Sequence, residues 1–253
     1  ASAVRDTIGR IKEFDKSMVG LGAILGQDVQ NLGDLKDEII NVAGASLKTS
    51  NEVADLATVL ITLGKSKAEV IQLLKPVNDL SIALGASSDD AGELLVQTLN
   101  AFGKGTESAV RFADVIAKMR TSTALDFERI KISLGFLSPT AKAVGLSFEE
   151  TGAILGTLVD SGIKASRAGR LMSSSFIRIA TSGGTLQGAI KEVQESQDKL
   201  VTSSKLFGVQ GSSLGLILAE NTDKINELTE GFNNAGGALN DLTERQLESF
   251  DAK

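Results

Sequence analysis

The chain has 253 residues, 42% hydrophobic and 23% charged, with a net charge of −6. These values suit a folded protein with room for one large domain, or a domain plus an extension, and argue against wholesale disorder. The absence of Cys and His removes disulfides, thiolate zinc sites, cysteine nucleophiles and the usual general base; an acidic balance without Trp or Tyr disfavours nucleic-acid binding. No cofactor is implied. The chain opens at Ala1 without Met, as a fragment or a processed product would. Arg5, Asp6 and Arg10 stand where a signal peptide needs an apolar run. The longest apolar stretches, such as Leu56 to Leu63, are too short to span a bilayer.

Residues 1–48 read as N-terminal helices leading into a core. Within them, the run from Gly20 to Gly26 has the wrong spacing for a dinucleotide fingerprint and no preceding strand, so it reads as a small-residue helix face or a helix junction. Thr49-Ser50-Asn51-Glu52 fits a capping box, and Val53, Leu56, Leu60 and Leu63 then recur at helical spacing. Gly64-Lys65-Ser66 ends like a phosphate-binding loop but has Val59 where such a loop needs Gly; it reads as one helix end followed by another helix start. Pro76 is expected just past a helix that ends at Leu74 or Lys75. Ser87 to Asp90 opens the next helix, whose apolar face includes Leu94, Thr98 and Phe102. Ser138-Pro139 reads as an N-cap followed by the first helical residue. Ser147-Phe148-Glu149-Glu150 repeats the capping box. Gly64, Gly85, Gly103, Gly145 and Gly162 fall where C-terminal caps are expected. The acids Asp89, Asp90, Glu149 and Glu150 sit in first turns, where they complement the helix dipole, and are not read as a metal or acid/base cluster.

Residues 83–95 align without gaps on residues 143–155, and 49–64 form a looser third copy. Such repeats of capped helices predict an all-α fold of stacked helical hairpins, with the repeated core at 49–220. The segment from Ser161 to Arg178 is locally basic. Lys164, Arg167, Arg170 and Arg178 make it a candidate contact face for DNA, an anionic lipid surface or an acidic partner, against the simpler reading of a solvated helix face. Ser161-Gly162-Ile163-Lys164 matches a Ser-x-x-Lys pattern of acyl-transfer enzymes, but so does Ser196 to Lys199, and no companion motif is present. Residues 221–253 are polar, with Ile225, Leu228, Phe232, Ala235, Leu239 and Leu242 in an a/d heptad pattern. A coiled-coil-like extension is expected there, with Ile225, Leu228, Phe232, Leu239 and Leu242 as self-association residues. Gly231, Gly236 and Gly237 weaken the pattern, and the register slips after Leu242 to Leu247 and Phe250.

The order of motifs adds a resemblance. Phe14 to Met18 with Gly20 and Leu25-Gly26 comes first, followed by Ser50-Asn51-Glu52-Val53-Ala54 and Leu63-Gly64. Then come Leu99-Asn100-Ala101-Phe102-Gly103 and Ala113-Asp114-Val115-Ile116-Ala117-Lys118. Gly145 to Thr151, Gly162 to Ser166, Ala168-Gly169 and Leu206-Phe207-Gly208-Val209 complete the series. Across roughly residues 14–220 this order resembles the core domain of phage tail tape measure proteins. The segments at 198–205 and 211–215 depart from that pattern. The resemblance implies a structural virion protein, not an enzyme, that scaffolds tail tube assembly and sets tail length. It implies the virion tail as its location, with the host cytoplasm during assembly. The implied partners are tail tube proteins, tail-tip or baseplate proteins and further copies of itself, a trimer being one expected state. Specific nucleic-acid binding is not expected. The alternative is a membrane-interacting helical protein that aids genome delivery on ejection, since helices rich in small residues can rearrange and insert. A helical hydrolase is the least expected reading.

Overall fold

The computed structural model describes residues 2–251, with side chains described at 9 and 11–249; those of Arg5, Asp6, Arg10 and Phe250 lie outside the described residues. Among the described residues there are fourteen α-helices, two short 3-10 turns and no strand. The helices are α1 Ser2–Leu25, α2 Gly33–Gly44, α3 Ser50–Thr62, α4 Lys67–Leu84, α5 Ser88–Phe102, α6 Ala109–Ser122 and α7 Phe127–Ala143. There follow α8 Phe148–Asp160, α9 Ala165–Thr181, α10 Leu186–Glu195, α11 Lys199–Phe207, α12 Ser212–Glu220, α13 Thr222–Asn233 and α14 Ala238–Asp251.

The connections are short because capping chemistry ends one helix and starts the next within a few residues. Thr49, Ser66 and Ser147 each form a complete capping box, with Glu52, Glu69 and Glu150 as the reciprocal acids. Ser87 accepts from the Asp90 amide at 3.1 Å. All five expected C-terminal glycines adopt positive φ, from 63° at Gly103 to 86° at Gly162, a conformation in which a side chain would be strained. Of the run from Gly20 to Gly26, residues 20–25 close α1 and Gly26 follows it at φ 62°; a Cβ at Gly22, inside the helix, would sit 2.7 Å from the Gln27 carbonyl oxygen.

Both prolines depart from expectation. Pro76 lies inside α4 and Pro139 inside α7. An interior proline removes one backbone donor and crowds the preceding turn. At Pro76 the neighbours Leu73, Leu74, Val77 and Leu80 are all fully buried, so packing of that face overrides the local penalty. Ser138 is therefore not a cap; among the described residues its buried hydroxyl has no hydrogen-bond partner.

The packing falls into two units. One comprises residues 1–96, 105–113 and 240–253, the other 97–104 and 114–239. They cut across the sequence segments 1–48, 49–220 and 221–253. In both units successive helices form hairpins, and several helices meet the one two places further on: α1 meets α3, α2 meets α4, α7 meets α9, α9 meets α11 and α10 meets α12. In the first unit, Asp34 of α2 pairs with Lys67 of α4 at 2.8 Å, and Gly92 of α5 lies against Leu56 and Leu60 of α3. In the second, Gly152 and Gly156 of α8 lie against Met119 of α6 and Thr123 just beyond it. Ser133 and Thr140 of α7 meet Gly169 and Ser173 of α9. Partners rise together along both helices of a pair, so α7 and α9 run parallel, as do α6 and α8. Hydrogen-bonded partners across such pairs stand 33 residues apart at Asp34–Lys67 and Thr140–Ser173, and 32 apart at Ser175–Phe207. That distance is one helix, one turn, a second helix and a second turn, which is the stacked-hairpin repeat in spatial form.

The expected C-terminal heptads do not lie on one helix. The chain breaks between α13 and α14, with Gly237 at φ 83°. Two adjacent glycines carry no side chain to pack and cost helix stability, so the break falls where the heptads were weakest.

Candidate interaction surfaces

The segments 198–205 and 211–215, where the motif order departs from pattern, form α11 and α12. Ser175 of α9 donates to the Phe207 carbonyl at 2.9 Å, and Gly211 and Gly215 allow close approach to Phe207. This end of the second unit is thus built on small residues facing one phenylalanine.

α9 positions the basic residues. It buries Ala165, Ala168, Gly169, Met172, Ser175, Phe176 and Ile179, and exposes Arg167, Arg170, Ser174, Ile177 and Arg178. Those two sets alternate at helical spacing, so the exposed set forms one face. Lys164 stands at its start, also exposed. Gly169 brings the backbones of α7 and α9 together, since a Cβ there would lie 2.7 Å from the Ser133 carbonyl oxygen. That close approach sets Phe136 beside the arginines: the Arg170 guanidinium lies 5.9 Å from its ring centroid. Phe136 is 46% exposed, Ile132 43% and Ile177 54%, which leaves apolar surface among the cations. A hollow of about 380 Å³ beside them is lined by Ile132, Ile163, Lys164 and Ser166, with Glu128 and Arg129 also lining it. Arg178 stands apart from the other three. Its Nε donates to the Lys205 carbonyl at 2.9 Å, where a cation suits the C-terminal end of α11. The structure thus brings Lys164, Arg167 and Arg170 to one surface and gives Arg178 a bracing role.

The expected self-association residues have different surroundings. Phe232 is fully buried in the second unit, with its ring against Gly152 of α8, and Leu239 is 5% exposed. Ile225 and Leu228 are half-buried on the same helix as Phe232, and Leu242 is half-buried in the first unit. α13 runs antiparallel to α8, as shown by the Lys224–Asp160 pair at 2.6 Å beside the Phe232–Gly152 contact. Within the stripe at 221–239, Phe232, Ala235 and Leu239 are packed inside the chain.

Asp114 is a residue whose role could not be read from the sequence. It is 5% exposed, and its carboxylate accepts from the backbone amides of Gly237 at 3.2 Å and Leu239 at 2.9 Å. It supplies the anionic cap for the start of α14 from more than a hundred residues away.

In the first unit, a hollow of about 670 Å³ is lined by Ile11, Phe14, Ile40, Lys48 and Asn51, among others. Burial holds the Lys48 ammonium below its usual pKa, while Glu52 and Asp89 oppose the shift. Its Nζ donates to Ser81 at 2.7 Å and to Ser88. Among the described residues no group of three Asp or Glu side chains is placed to hold a metal ion.

Within each unit the arrangement is one of stacked helical hairpins. The chain belongs to the phage-related minor tail protein family, whose profile matches residues 11–250. It is 25% identical to the tape measure protein of Pneumococcus phage Dp-1, over 95% of this chain and 23% of that protein. It is 24% identical to a probable tape measure protein of Escherichia phage P2, over 91% of this chain and 32% of that protein. The chain thus spans about a quarter to a third of the length of these curated relatives. No solved structure matches it. Family membership makes it a structural protein of the phage tail.

Proposed function

We propose that this chain is the folded helical core of a tape measure protein, a longer helical rod around which tail tube subunits polymerise and whose length sets that of the tail. The observation that supports this reading is its similarity, across nearly its whole length, to two proteins named as tape measure proteins. The physics suits the role, because a helix rises about 1.5 Å per residue and so converts a residue count into a length. On this reading the chain acts without catalysis or cofactor. It is made in the host cytoplasm, ends in the virion tail, and meets tail tube and tail-tip or baseplate proteins. It also meets further copies of itself, a trimer being one such state. No helix among the described residues is long and apolar enough to cross a membrane, and no observation favours the membrane alternative.

The test is to delete the codons for residues 11–250 in frame from the source gene and view the particles by electron microscopy. The reading expects heads without regular tails. Particles with normal tails would overturn it.

A further inference from the structure

From Ser161 to Ile190 the chain carries Lys164, Arg167, Arg170 and Arg178 and no carboxylate, in a protein whose net charge is −6. Among the described residues, none of these four cations has a carboxylate within ion-pair distance. The opposite pattern occurs at the end of the same unit. Glu220, Asp223, Glu227 and Glu230 are spaced by three, four and three residues and are all exposed. On α13 the last three share one face, opposite the side that buries Phe232. They too have no ion-pair partner among the described residues, since Lys224 is taken by Asp160.

We infer that the α7–α9 face of one copy receives the acidic α13 face of a second copy. Arg167 and Arg170 meet Asp223, Glu227 and Glu230, while Phe136 and Ile132 supply the apolar surface that the contact covers. Three observations favour a second copy over another polyanion. The complementary stripe is already encoded in the same chain. Both stripes lie on ordinary α-helices, so helix-on-helix packing is geometrically available. The exposed Phe136 and Ile132 offer a patch that a charged backbone alone would leave wet. The two surfaces differ, so the contact is heterologous: it runs head to tail and closes into a ring only where the rotation allows. It uses the polar side of α13, not the buried heptad side, and it does not depend on the tail-length reading.

The test is a charge swap on the whole chain, read as mass by sedimentation. At about 50 mM salt, wild type is expected to sediment above the 26.4 kDa monomer as concentration rises; at about 500 mM it returns toward monomer, because screening shortens the reach of exposed charges. Arg167→Glu with Arg170→Glu, and separately Glu227→Arg with Glu230→Arg, should each remain monomeric at low salt. An equal mixture of the two double variants should associate again, since the reversed faces complement each other. All four residues are exposed, and unchanged helical circular dichroism identifies variants that keep their fold. Wild type that stays monomeric at low salt, or a mixture that fails to associate, would overturn the inference. So would a basic-face variant that keeps its self-association and loses only binding to duplex DNA or to phosphatidylserine vesicles.

Discussion

Gly169 and Gly135 both lie inside helices of the second unit, and alanine at either should gain the same helix propensity, about 1 kcal/mol. Their surroundings differ. A Cβ at Gly135 would meet nothing within 4 Å, whereas one at Gly169 would lie 2.7 Å from the Ser133 carbonyl oxygen and 3.1 Å from its Cα. Those are backbone atoms of a packed helix, which cannot rotate away as a side chain can. Relief requires α7 and α9 to move apart, and overpacking of this kind costs about 1–3 kcal/mol. Gly135→Ala is therefore expected to stabilise by about 1 kcal/mol. Gly169→Ala should be less stable than Gly135→Ala by the packing cost alone, about 1–3 kcal/mol, because the propensity gain cancels between them. In a chain of this size, each kcal/mol moves the thermal midpoint by about 2–4 °C. Circular dichroism at 222 nm, in paired thermal and urea melts, reads the difference. A Gly169→Ala chain as stable as Gly135→Ala would refute the close backbone contact of α7 and α9, and with it the parallel register derived from that contact.

Three further expectations follow from the packing. Phe232→Ala should cost about 3–5 kcal/mol in urea unfolding, as a buried aromatic does, while Leu228→Ala costs clearly less; equal effects would contradict the burial of Phe232. Asp114→Ala should cost about 1–3 kcal/mol and speed amide exchange at Leu239, because a buried acceptor of two backbone amides is lost; unchanged exchange there would count against the cap. The Glu52 and Glu69 carboxylates are held below their usual pKa, first by the backbone amides of Thr49 and Ser66 and then by their hydroxyls. Depressed carboxylate pKa values stabilise the fold above the unfolded pKa, and that contribution disappears as pH falls through the folded values. Melts between pH 7 and about pH 3 should therefore show Glu52→Gln with Glu69→Gln losing less stability on acidification than wild type; parallel curves would contradict the assignment.

The local chemistry was legible in the sequence, and the long-range geometry was not. Caps are decided within four residues, so Thr49, Ser147 and the glycines from Gly64 to Gly162 could be read directly. Pro76 could not, because the buried neighbours that override its local penalty are set by tertiary packing. The α13 heptads show the same limit in another form. A period of 3.5 identifies an apolar stripe, but it does not say whether that stripe packs on another copy or on α8 of the same chain. The sequence offers Lys164, Arg167, Arg170 and Arg178 together as one candidate basic face. Only the structure distinguishes Arg178, whose partner carbonyl at Lys205 lies 27 residues away. Phe136 joins that surface through Gly169, a contact that periodicity along α9 alone does not contain.

The most direct test of the tape measure account is tail length by electron microscopy after shortening the source gene outside this core. An in-frame deletion of about 60 residues of continuous helix should shorten the tail by about 90 Å, at 1.5 Å per residue. Intact particles with tails of unchanged length would contradict the account.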